Sequence, residues 1–216
     1  MDGVLFDSMP AHAKAWTRAM CECGFAFTEA DAYMNEGRTG SGTIRLMAER
    51  QGRSVSEAEI RHIYELKSSY FLAFPPAEPM PGAAALLRRL HDEGTLTLLV
   101  TGSGTPELLG RLQSHFPGIF VPERMVTAFD VKRGKPDPEP YLMGLRKGSA
   151  VLGRTLLPSE CVVVENAPLG VRSAVAAAIP TIAVGTGPLP AAALLDEGAR
   201  WFFPSMQALT EAWEAE

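Results

Sequence analysis

The sequence predicts a doubly wound parallel-sheet α/β core with a small helical unit inserted near its start. Three observations predict this. Residues 8–74 carry helix signals without a convincing strand, residues 74–82 hold four prolines, and from residue 83 helical and apolar strand patterns alternate to the end. The expected division is a core of residues 1–9 and 76–216 around a helical domain of residues 10–75. A chain of 216 residues, 46% hydrophobic and 21% charged, has enough apolar material for both.

Taken in order, residues 10–23 place Ala11, Ala15, Trp16, Ala19 and Met20 at helical spacing and close at Gly24. Thr28 to Asp31 and Ser56 to Glu59 have capping-box spacing, which marks two helix starts. The second opens a long helix with an expected apolar face of Ile60, Ile63, Tyr64, Leu66 and Phe71. Prolines 75, 76, 79 and 81 fix φ and remove donors, so that stretch reads as an extended linker. Beyond it the pattern gives helices at 83–93, 106–115, 138–147, 168–178, 190–196 and 205–213. Strands are expected at 95–101, 124–128, 161–165, 180–184 and 200–203, with 161–164 buried on both faces.

Net charge of −5 and the lack of a basic run argue against a nucleic-acid partner. No apolar run reaches the ~18 residues of a membrane span, so a membrane partner is not expected either. Cys21, Cys23 and Cys161 are poorly spaced for disulfides or zinc; they read as reduced thiols, small buried hydrophobes of a cytoplasmic protein.

Ligands of a parallel sheet sit outside the carboxyl ends of its strands, and three clusters fall there. In Thr101-Gly102-Ser103-Gly104 a strand-end hydroxyl precedes glycines that admit close backbone approach, which suits a phosphoryl oxygen. In Gly134-Lys135-Pro136-Asp137-Pro138 the prolines aim a lysine that elsewhere would be a mobile surface cation. In Glu165-Asn166-Ala167-Pro168 an acid and an amide end a hydrophobic strand. Two such oxygens suit a hard divalent cation, although Asn166 is equally a helix cap.

Together with Asp2-Gly3-Val4-Leu5-Phe6-Asp7-Ser8, these clusters resemble the four motifs of the haloacid dehalogenase superfamily over essentially the whole chain. The resemblance implies Mg²⁺, a phosphoaspartyl intermediate, and a small phosphorylated substrate. It makes Asp2 the general acid/base with its carbonyl on the metal, Thr101 and Lys135 the phosphate-binding pair, and Glu165 with Asn166 the metal end. Most relatives have Asp where Asn166 stands, so the metal site carries less charge. It further implies that the nucleophilic aspartate, and the strand leading to it, lie just before Met1.

In the β-phosphoglucomutase-like branch the helical insert is a cap that chooses the substrate. There His12, Glu36, Arg38, Lys67 and Ser103 are the candidate substrate-side residues, with Arg38 and Lys67 gripping a non-transferring phosphate. The stretches Glu36-Gly37-Arg38-Thr39-Gly40, Val126-Thr127-Ala128-Phe129-Asp130 and Glu165-Asn166-Ala167-Pro168 look closer to the inorganic pyrophosphatases of this superfamily. The implied reaction is therefore pyrophosphate hydrolysis, with a phosphosugar mutase and a non-catalytic phosphate-binding protein as alternatives.

Overall fold

The computed structural model describes residues 1–103 and 108–215. Helix α1 (Met9–Glu22) begins with Pro10 in its first turn, and the chain reverses after it at Gly24, whose φ of 76° disfavours a Cβ. Helices α2 (Glu29–Met34) and α4 (Glu57–Leu72) start at the expected capping boxes, Thr28 with Asp31 and Ser56 with Glu59; α3 (Gly40–Arg50) is capped by the Thr39 hydroxyl. These four helices enclose a cluster built on Met20, Phe25, Phe27, Ile44, Met47, Ile60 and Ile63. On α4, Tyr64 departs from the expected apolar face and is exposed, while Lys67 is buried. The buried stripe follows residues 60, 63 and 67, and position 64 turns outward.

The remainder is the expected α/β architecture. Strands β1 (Leu99–Val100) and β2 (Met125–Val126) pair in parallel, and β3 (Val163–Glu165), β4 (Thr181–Val184) and β5 (Trp201–Phe203) form a second parallel sheet in that order. Alternate strand residues point to opposite faces. Leu99, Met125, Ile182 and Val184 meet α5 (Ala83–Asp92), α6 (Leu108–His115) and α10 (Met206–Glu214) on one side. Val100, Val163 and Ala183 meet α7 (Glu139–Leu152), α8 (Pro168–Ala176) and α9 (Ala192–Leu195) on the other. The proline-rich stretch is extended, as expected, and pairs antiparallel with residues 5–7 through Asp7 N–H to Glu78 O and Met80 N–H to Leu5 O.

Several sequence expectations are corrected. The strand expected over 95–101 is reduced to Leu99–Val100, because among the described residues its only ladder is the two-residue one with β2. Burial on both faces belongs to β4, which has a hydrogen-bonded neighbour on each side; β3 has one, and Val162 before it is 42% exposed. Helix α7 runs past residue 147 to Leu152. Gly144 and Gly148 do not break it but allow close packing: a Cβ would lie 3.3 Å from Val100 of the sheet at Gly144, and 2.8 Å from Leu156, in the connection after the helix, at Gly148. The cysteines are free, but none is in the core: Cys21 is exposed, and Cys23 and Cys161 are partly so. The start expected for the helix at residue 106 lies outside the described residues.

Candidate active site

The opening residues form a tight loop. The Met1 carbonyl accepts from the amides of Val4, Leu5 and Phe6, and Gly3 N–H donates to Phe6 O at 2.9 Å. Gly3 is required twice over: its φ is 67°, and a Cβ would stand 2.0 Å from Asn166 Nδ2. The loop presents the Asp2 carboxylate to the Ser8 hydroxyl, which donates to it, and to His12 Nε2 at 3.6 Å. Burial alone would raise the Asp2 pKa, but His12 and Ser8 act against it and hold the carboxyl well below the usual range. Behind Asp2, His12 stacks on Phe71 at 3.9 Å and places Nδ1 2.9 Å from Lys67 Nζ. Burial beside the rings of Trp16 and Phe71 pushes the Lys67 ammonium down to about 8, against the opposing charge of Asp2.

The second group forms where β1 and β3 end. Lys135 Nζ pairs with Glu165 Oε1 and lies 3.4 Å from Val100 O. The Tyr141 hydroxyl donates to the same Glu165 oxygen at 2.6 Å, and Asn166 N–H donates to Oε2 at 3.2 Å. Gly170 makes room for this carboxylate, since a Cβ there would lie 2.2 Å from Glu165 Cδ. Burial disfavours the Glu165 charge, yet Lys135 and the Tyr141 hydroxyl prevail and its pKa is lowered. Thr101 is buried beside Val100, and its hydroxyl accepts from Ser103 N–H at 3.1 Å.

The helical unit reaches into this hollow through the turn between α2 and α3. Glu36 accepts from Asn166 Nδ2 at 3.0 and 3.1 Å, the next residue, Gly37, packs on the Lys135 side chain, and its carbonyl faces Gly102. Burial, then the charges of Glu165 and Asp2, push the Glu36 carboxyl up to about 8. The structure thus gathers Asp2, Lys135, Glu165, Asn166 and Glu36, with Thr101 and Ser103 alongside and His12 and Lys67 in line behind Asp2. Arg38, whose Nε donates to Asn35 Oδ1 at 3.3 Å, lines an open cleft of about 440 Å³ with Thr39, Gly42, Arg133, Gly134, Lys135, Pro136 and Asp137, and so shares it with the site lysine. Among the residues missed by sequence reasoning, Ser8 was legible from its place in the Asp2 loop. Tyr141 carried no signal beyond a helical aromatic.

No three His, Cys, Asp or Glu side chains among the described residues converge on a metal-sized point. The groups gathered there offer oxygens of mixed kind: the backbone carbonyl of Asp2, the Glu165 carboxylate and the Asn166 amide. Such a set suits a hard cation that keeps water and phosphate in its shell. The field fits as well, because two ionised carboxylates, Asp2 and Glu165, share the site with Lys135, and their charges help to push the Glu36 carboxyl up.

An anion-handling site at the carboxyl ends of a parallel sheet, overhung by a helical unit, defines a phosphate-processing α/β hydrolase. The chain belongs to the haloacid dehalogenase-like hydrolase family, whose model matches residues 1–178. It is 36% identical over 186 residues to hexitol phosphatase A of Escherichia coli, covering 85% of this chain and 80% of that protein. It is 30% identical over 191 residues to glycerol-1-phosphate phosphohydrolase 2 of Saccharomyces cerevisiae, with coverages of 86% and 72%. Its structure matches that of a Bacteroides vulgatus protein described as "Putative beta-phosphoglucomutase", with a TM-score of 0.92 and 52% identity over 99% of this chain and 85% of that one. No helix among the described residues is long and apolar enough to cross a membrane.

Proposed function

We propose that this chain is a cytoplasmic, Mg²⁺-dependent phosphohydrolase that works through a phosphoaspartyl intermediate, with inorganic pyrophosphate as its substrate. Residues 10–75 act as the cap over a core of residues 1–9 and 76–216. The observation that carries the reading is the Glu36 carboxylate held on Asn166 beside the Lys135–Glu165 pair. A cap carboxyl so close to the phosphate end leaves room for a compact anion, and a cation lying between them would favour its ionised form and let it bridge cap and phosphate.

Mg²⁺, held by Asp2, Glu165 and Asn166, would supply charge neutralisation of the phosphoryl oxygens. The protein's own groups supply the rest. Lys135 balances charge on the transferring phosphoryl group, and the Thr101 hydroxyl and Ser103 donate hydrogen bonds to its oxygens. An arriving phosphate disfavours the Asp2 charge, so the carboxyl takes up a proton and delivers it to the leaving oxygen; it then accepts one from the attacking water. The nucleophile is assigned to an aspartate directly preceding Met1, at the end of an apolar strand lying between β1 and β3. In support, β1 and β3 both end at the Lys135 ammonium and yet belong to separate sheets. Unpaired buried backbone groups along their facing edges would cost ~1–3 kcal/mol each.

A second reading, hydrolysis of a polyol or sugar phosphate, is favoured by the hexitol and glycerol phosphatases among the relatives, and phosphate transfer on a hexose by the mutase-like neighbour. One experiment separates them: phosphate release by the chain extended with an apolar strand ending in Phe-Asp, over pyrophosphate, hexitol and glycerol phosphates. Preferential pyrophosphate cleavage is expected, and preferential polyol-phosphate cleavage would replace it with the second reading. Conversion of β-glucose 1-phosphate to glucose 6-phosphate with a bisphosphate primer would identify a mutase. Phosphate binding without turnover would make the chain a binding protein.

A further inference from the structure

Glu165 is the acid placed at both the lysine and the metal end of the site, and its two oxygens are not equivalently held. Oε1 receives the Lys135 ammonium and the Tyr141 hydroxyl, whereas Oε2 receives the Asn166 amide at 3.2 Å. Tyr141 projects from the first turn of α7, three residues after Pro138, and its ring is buried among Ala174, Ala177 and Ile179. The Lys135 ammonium stands 5.1 Å from that ring. The phenol is therefore a rigid donor, and burial next to Glu165 keeps its proton on, with a pKa raised well above 10.

We propose that Tyr141 is a positioning residue that divides the work of the Glu165 carboxylate. By occupying Oε1 together with Lys135, it commits that oxygen to the lysine and leaves Oε2 as the atom offered to a divalent cation. The proposal rests on the metal reading given above. Without the hydroxyl the carboxylate is free to rotate about its terminal torsion, which is broad and two-fold, and to give either oxygen or both to the ammonium. A donor fixed on one oxygen of a ligating carboxylate is the kind of outer contact that sharpens metal affinity.

The test uses the 216-residue chain and Mg²⁺ alone, read as the rise in melting temperature with Mg²⁺ concentration. Tyr141→Phe keeps the ring and its packing, and should weaken the Mg²⁺ half-saturation by about tenfold. Ile179→Val loosens the same apolar pocket without touching Glu165, and should lower the melting temperature while leaving half-saturation as in wild type. Wild-type Mg²⁺ affinity in Tyr141→Phe, or an equal loss in Ile179→Val, would overturn the positioning role alone. A wild-type chain that does not respond to Mg²⁺ would overturn the metal reading and this proposal together.

Discussion

Helices α1–α4 and the sheet unit each bury a large apolar cluster, but they place their charges differently. In the helical unit most acids stay at the surface and serve the chain next to them: Asp31 and Glu59 close capping boxes three residues from Thr28 and Ser56. In the sheet unit Lys135, Glu165 and Asn166 are buried, and their partners lie 30, 24 and 130 residues away in sequence, at Glu165, Tyr141 and Glu36. Local capping stabilises a helix whatever the rest of the chain does. A buried ion pair depends on the whole fold being assembled, and its cost makes sense where charge must be presented to a ligand.

The contrast is broken most directly at Lys135. Lys135→Ala leaves Glu165 buried with hydrogen bonds but without its cation, and should cost about 3–5 kcal/mol in urea unfolding. The same change in the extended chain should abolish phosphate release. A cost no larger than that of losing a helix cap would mean that the pair is solvated, and the two units would then not differ in kind.

This difference also explains what the sequence disclosed. The helix starts at Thr28 and Ser56 were legible because each is written within four residues. The clusters at Thr101, Lys135 and Glu165-Asn166 were legible because turn residues after apolar strands mark the ligand-binding edge of a parallel sheet. The short extent of β1 was not, since a strand's length depends on a partner distant in sequence. Tyr141 stayed hidden for the same reason, as nothing near it names Glu165.

Within the helical unit Lys67, like Glu36, departs from that pattern: it is a buried cation that faces His12 and, through it, Asp2. Its pKa falls from 10.5 to about 8 on folding, so between those values the unfolded chain binds more protons and stability rises with pH. Below about 8 the full penalty for burying the charge is present. Lys67→Met keeps the apolar stem and removes the titration. Relative to it, wild type should gain up to about 3 kcal/mol as pH rises across the window, measured by urea unfolding. A constant difference between the two proteins would show that Lys67 keeps its charge at no cost, and would align it with the surface charges of its unit.

The smallest effect is expected at Ser56. Its hydroxyl accepts from Glu59 N–H at 3.2 Å while Glu59 accepts from Ser56 N–H at 2.8 Å, all of it exposed. Ser56→Ala removes one half of that exchange and should cost about 1 kcal/mol, with no change in Mg²⁺ response. The loss is small because water replaces the hydroxyl as partner of the freed amide, a substitution that the dry surroundings of Glu165 do not permit. Should Ser56→Ala shift Mg²⁺ binding as well, the start of α4 would be coupled through Lys67 and His12 to Asp2, and the helical unit could no longer be treated as locally stabilised.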